Sequence, residues 1–133
     1  MAMALCRHMA EERGIPVRAV SAGYFDWGPF AREAHPFARR AVEQLCGGDL
    51  LRGHRAARWN HEMVRSADLI VVAEEWMCAD FPVSTAITMR GLAGQTGDVE
   101  DPYGEDFEVF LECATELRAL LLAGWAIVTG KVG

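Results

Sequence analysis

The 133 residues contain no Cys-x-x-Cys pair, and the four cysteines, Cys6, Cys46, Cys78 and Cys113, lie far apart. That scatter excludes a zinc site built on paired thiolates and a dense disulfide framework. The thiols read as small core hydrophobes in a reducing compartment, so the expected location is cytoplasmic. The histidines, His8, His35, His54 and His61, are equally dispersed, and neither a metal nor another cofactor is expected. No apolar run approaches the roughly 20 residues that a membrane span needs. The opening stretch from Met1 to Gly14 lacks the succession of a secretory signal. An excess of positive charge is missing as well. With 13 Lys and Arg against 19 Asp and Glu, the net charge of −6 argues against a nucleic-acid partner, which normally meets a basic patch. A hydrophobic content of 51% excludes a collagen-like or disordered chain. What remains fits one soluble domain able to bury a core.

Apolar periodicity orders that domain. Residues 2 to 13 read as a helix, with Leu5, Met9 and Ala10 in register and Gly14 as its C-cap. The stretch from Ile15 to Val20 is a strand candidate, punctuated by Ser21-Ala22-Gly23. A loop over 24 to 35 leads to a helix opening at Pro36, whose stripe is Ala38, Ala41, Val42 and Leu45 and whose end is Gly47-Gly48. Asn60 can cap a short helix through Arg65. The continuous run from Leu69 to Ala73 reads as a strand buried on both faces. Residues 74 to 81 look helical, 86 to 89 form a weaker strand, and 90 to 106 form a long glycine-rich loop. The clearest helix starts at Phe107, with Phe110, Leu111, Ala114, Leu117 and Leu121 on one stripe. Alternating strands and helices predict a parallel sheet covered by helices. An α/β chain that opens on a helix is unusual, because loops at the carboxyl ends of strands normally carry the chemistry.

Four spots carry candidate chemistry. Asp101-Pro102-Tyr103-Gly104 sits just before the last helix. Proline stiffens the residue before it, so Asp101 suits a general acid, with Tyr103 lining a pocket beside it. In isolation the motif reads better as an ordinary Asp-Pro turn. His54, with Arg55 and Arg58 nearby, reads as an anion or loop contact, or as a solvated surface segment. Ser21 closes a strand and its hydroxyl can reach a neighbouring loop, or it is a plain turn residue. Trp27 either flanks a pocket or folds onto the core.

The segment from Cys46 to Arg52 satisfies Cys-x5-Arg, the spacing of a phosphate cradle beneath a thiolate. Such a cradle needs a strand, a loop and then a helix N-terminus facing the anion. Cys46 ends a predicted helix, the wrong end of the dipole for stabilising a thiolate.

In order along the chain, Val20-Ser21-Ala22-Gly23, His54, Ser66-Ala67-Asp68-Leu69-Ile70-Val71 and the run from Gly97 to Gly104 resemble blocks of the low-molecular-weight protein-tyrosine phosphatase family. The resemblance covers nearly the whole chain as a single domain, residues 1 to 133. It implies a flavodoxin-like three-layer α/β sandwich with a four-stranded parallel sheet. It also implies metal-free, cysteine-dependent dephosphorylation of phosphotyrosine or phosphoarginine proteins. The single aromatic after Asp101-Pro102 leans toward bacterial members that include protein-arginine phosphatases. By resemblance Ser21 and His54 support the phosphate loop, Asp101 is the general acid, and Tyr103 and Trp27 belong to the pocket.

The resemblance also carries a departure. The family opens with a central strand and the loop Cys-x-Gly-Asn-x-Cys-Arg-Ser-Pro, whereas Met1 to Leu5 resembles the start of the helix that follows them. None of the four cysteines aligns with the nucleophile. The expectation is an N-terminally incomplete, inactive domain with exposed strand edges and poor stability or a tendency to associate. Two other readings stand beside it: a non-catalytic relic that binds phosphoproteins, and an arsenate reductase of the same fold. The phosphorylated residue preferred and the oligomeric state are not fixed by these residues.

Overall fold

The computed structural model describes residues 1 to 24 and 32 to 130. The chain opens with helix α1 (Ala2–Arg13), whose left-handed Gly14 and the bond from Ile15 N–H to the Ala10 carbonyl (3.0 Å) stop it where the sequence predicts. Helix α2 (Pro36–Cys46) starts on a proline at its first turn, where the missing N–H costs nothing. It ends at Gly47, with φ at 83°. Helix α3 (His61–Ser66) is capped by Asn60, whose Oδ1 accepts from Met63 N–H at 2.8 Å. Strand β1 (Ile70–Val72) pairs in parallel with strand β2 (Ala86–Thr88), Val71 opposite Ile87, and a 3₁₀ turn over Glu75–Asp80 lies between them. Then come α4 (Met89–Leu92), α5 (Phe107–Ala123) and α6 (Trp125–Val128).

Two apolar clusters hold these elements. One joins Leu5 and Met9 of α1, Met89 and Leu92 of α4, and Leu117, Leu120 and Leu121 of α5, with Val71 and Ile87 of the sheet and Leu69 just before it packed against it. The other joins Ala4 of α1, Ala38, Ala41 and Val42 of α2, and Phe110 and Ala114 of α5. The stripe spacing in α2 and α5 therefore predicts the buried faces correctly, because small residues at Ala41 and Ala114 let the helices approach closely. At the far end of α5, Gly124 is required for a different reason. A Cβ there would stand 2.6 Å from both the Cβ and the carbonyl oxygen of Leu92. Gly124→Ala is expected to destabilise the fold by roughly 1–3 kcal/mol through overpacking, read as a lower urea midpoint.

The sheet differs from expectation in four respects. Residues 15 to 20 form no strand, because none of their backbone groups enters a ladder among the described residues. Just beyond them, a parallel bridge between Gly23 and Arg58 marks sheet-like pairing. The described ladder has two strands, where the family's four-stranded sheet without its first strand would leave three. The run from Leu69 to Ala73 is not buried on both faces either. Val72 is buried but Leu69, Ile70 and Val71 are half-buried, since β1 has a described neighbour along one edge only. Finally, the second strand stops at Thr88, whose hydroxyl accepts from Gly91 N–H at 2.8 Å and starts α4. The long loop predicted from residue 90 thus begins after that helix.

Candidate active site

The Asp101 loop is anchored to the carboxyl end of β1, where parallel α/β folds place their chemistry. Val99 N–H donates to the Ala73 carbonyl at 3.0 Å, and Asp98 Oδ1 accepts from Glu75 N–H at 2.8 Å. Buried Val99 pins the loop from beneath. Beyond it, Asp101 Oδ1 accepts from Tyr103 N–H at 3.0 Å, an Asx turn that fixes the carboxylate on its stiff Asp-Pro backbone. Gly104, with φ at 86°, reverses the chain. Asp106 then caps α5 by accepting from Val109 N–H. A groove of about 490 Å³ opens beside Asp101, walled by carboxylates including Asp98, Glu100 and Glu112 and bordered by Arg90, which is paired with Glu116 at 2.9 Å.

The second half of the site is the strap of residues 54 to 59. It is held on one side by Gly23, which donates to the Ala57 carbonyl (2.7 Å) and accepts from Trp59 N–H (3.0 Å). On the other side Ala34 N–H donates to the His54 carbonyl, and Ala56 N–H donates to that of Arg32. This double hold brings His54 Nε2 within 3.3 Å of Ser21 Oγ. Arg7 of α1 secures the Ser21 side by donating from Nε to the Ala19 carbonyl at 2.7 Å. Burial, then the Met1 ammonium, then the Arg7 guanidinium push the His54 pKa below its ordinary 6.5. A histidine so depressed favours the native state above its unfolded value. That stability is lost as the pH falls through the folded one, because the unfolded chain takes up the proton first. The urea midpoint is therefore expected to drop as the pH falls below His54's ordinary 6.5, and His54→Gln to flatten that slope.

Burial lowers the Met1 ammonium pKa, and that ammonium acts on His54 on one side and on Cys113 on the other. Cys113 in turn senses Glu116 and Asp101. Helix α1 itself starts without a side-chain cap. Tyr103 stands on the Asp101 loop with 67% of its surface exposed, and Trp27 lies outside the described residues. Two residues of this assembly escape sequence reasoning: Arg7, hidden in an ordinary helical pattern, and His35, which caps α2 through Nδ1. The Pro36 signal pointed at the helix start, and reading one residue back would have found the cap.

The thiols are placed against nucleophilic duty. Cys6 is buried in the middle of α1, Cys46 is the last residue of α2, Cys78 lies in the 3₁₀ turn and Cys113 in α5. Burial raises the pKa of Cys6, Cys46 and Cys113 above the ordinary thiol value, which suppresses thiolate. The Cys46 to Arg52 spacing makes no phosphate cradle. After Gly47 the chain turns through Asp49, which is committed to Arg39 at 2.5 Å, and it enters no helix behind Arg52. Among the described residues no three His, Cys, Asp or Glu side chains are grouped to hold a metal ion.

The parallel β1–β2 ladder with its surrounding helices places the chain among α/β proteins. Its family follows from comparison. The pattern of the low molecular weight phosphotyrosine protein phosphatases matches residues 1–126, and the chain belongs to that family. A protein-arginine-phosphatase of Bacillus subtilis (strain 168) is 28% identical over 128 residues, covering 91% of this chain and 82% of that protein. Among solved structures, a low molecular weight protein tyrosine phosphatase from T. tengcongensis superposes with a TM-score of 0.80 at 28% identity, covering 92% of this chain and 85% of that one. A mutant of the arginine phosphatase YwlE with a phosphorylated active site serine gives 0.81 at 27% identity, covering 95% and 86%. These likenesses support the α/β phosphatase fold that the sequence resemblance implies. No helix among the described residues is long and apolar enough to cross a membrane.

Proposed function

We propose that this chain forms the general-acid and loop-supporting part of a cytoplasmic, cofactor-free phosphatase acting on phosphotyrosine or phosphoarginine proteins, and that its 133 residues alone do not turn substrate over. The observation that carries the reading is the coexistence of a clamped Asp101 and a Ser21–His54 bond, while each thiol sits within a helix, at a helix end or in the 3₁₀ turn rather than on a loop leading into a helix N-terminus. In the cysteine-dependent reaction, a thiolate sulfur attacks phosphorus and the bond to the leaving oxygen or nitrogen breaks. Asp101 gives its proton to that leaving atom, and water then cleaves the sulfur–phosphorus bond. Ser21 and His54 support the phosphate-binding backbone, Tyr103 walls the pocket, and no step calls for a metal or nucleic acid.

The direct test is hydrolysis of p-nitrophenyl phosphate and of a phosphoarginine peptide by the 133-residue chain. The expected rate is that of buffer. Turnover that disappears with Cys46→Ser would overturn the placement of the chemistry. Tight phosphopeptide binding without turnover would favour a binding relic instead.

A further inference from the structure

We infer that His35 is a positioning residue for the Asp101 loop, acting through Tyr103; this rests on the reading of Asp101 as the acid. The contacts form one continuous series. Asp101 Oδ1 holds Tyr103 by its N–H. The exposed Tyr103 ring meets the His35 ring edge-on, centroids 6.2 Å apart and planes at 85°. His35 is in turn stacked on Phe110, at 4.7 Å and 23°, and Phe110 is a buried residue of α5. Its Nδ1 accepts from Phe37 N–H at 3.0 Å, and its ring lies 5.2 Å from that of Phe37.

The order of rigidity in this series decides its direction. Phe110 and the first turn of α2 belong to the packed core, so they fix the imidazole from two sides. An Nδ1 that accepts a backbone N–H carries no proton, which also sets the tautomer. Tyr103, on a four-residue turn closed by Gly104, has no comparable hold of its own. An edge-to-face aromatic contact to an already fixed ring supplies one. Because misplacing a reacting group by about 1 Å can cost about a hundredfold in rate, the His35 platform bears on where the Asp101 carboxyl stands. His35 touches no reacting atom and acts only through Tyr103.

Two substitutions separate its cap from its ring. Asn is among the best N-cap residues but has no ring, and Phe keeps a ring but cannot cap. In His35→Asn, the Tyr103 amide is expected to exchange with solvent about two- to tenfold faster, the factor an aromatic pair supplies, while the Phe37 amide and α2 keep their protection. In His35→Phe the pattern reverses: the Phe37 amide is released and the Tyr103 amide stays near its wild-type rate. A nuclear Overhauser contact between the Tyr103 ring and the ring at position 35 should persist in the wild type and in His35→Phe. Unchanged Tyr103 exchange in His35→Asn, or equal release in both variants, would overturn the inference. Exchange needs no turnover, so a negative result here is distinct from failure of the acid assignment, which only the kinetics of Asp101→Asn can show.

Discussion

Extending the chain at its N-terminus with an apolar strand and a Cys-x5-Arg-Ser loop is expected to raise p-nitrophenyl phosphate hydrolysis from the buffer rate by at least about 10⁶, the lower end of enzymatic rate enhancement. Three features of the fold make the gain that large. The N-terminus of α1 has no side-chain cap, so its first N–H groups and dipole are free to face an anion delivered just before it. The Ser21–His54 bond and the clamped Asp101 turn are already formed, so the added loop meets organised supports rather than having to assemble them. A thiolate at that point would also be the first in the chain with a helix N-terminus behind it. Stability should rise in the same experiment. The added strand can pair with backbone left outside the ladder and cover the half-buried Leu69 and Val71. An extended chain that folds, gains a higher melting temperature and yet hydrolyses nothing would show that the site is not a phosphatase site. An extended chain that neither folds better nor hydrolyses would place the strand wrongly.

The helices were the most legible part of the sequence, and the reason is local. The stripe of Ala38, Ala41 and Val42, the caps at Gly14, Gly47 and Asn60, and the periodicity from Phe107 each act within a turn or two of chain. The sheet was legible only in part because a strand is a property of pairs. Ile15 to Val20 has the side-chain pattern of a strand, yet no ladder partner among the described residues, and it remains irregular. The Leu69 to Ala73 run has the composition of a two-sided core strand, but one-edged pairing leaves most of it half-buried. The site divides in the same way. Asp101 was legible because proline and glycine fix its turn locally, and the structure adds the Tyr103 amide as its clamp. The Ser21–His54 bond spans 33 residues and depends on straps at Gly23 and Ala34, so only resemblance to related sequences could suggest it. Arg7 and His35 had no such suggestion, since their partners are backbone groups and rings distant in sequence. The Cys46 to Arg52 spacing shows the opposite hazard. A correct count of residues gave a motif whose geometry is wrong, because the cysteine sits at a helix C-terminus.

In the extended chain, Asp101→Asn is expected to lower kcat by about 10²–10⁴, the usual contribution of a general acid. The size of the loss should follow the leaving group. With p-nitrophenyl phosphate the departing phenolate is stable without a proton, so the loss should lie at the small end. With phenyl phosphate or a phosphoarginine peptide the leaving atom needs the proton, and the loss should approach the large end. Asparagine is the informative replacement because its Oδ1 can still accept from Tyr103 N–H, as the native carboxylate does. The turn through Gly104 should therefore survive, which unchanged exchange at the Tyr103 amide would verify. Asp101→Ala removes the clamp as well as the proton, so any further drop beyond Asp101→Asn measures positioning rather than acidity. If Asp101 were only an Asp-Pro turn residue, Asp101→Asn would leave kcat unchanged for every leaving group. If it served binding alone, KM would rise with kcat preserved. A loss in kcat that grows with the basicity of the leaving group, with the turn intact, is the pattern that only proton donation from Asp101 produces.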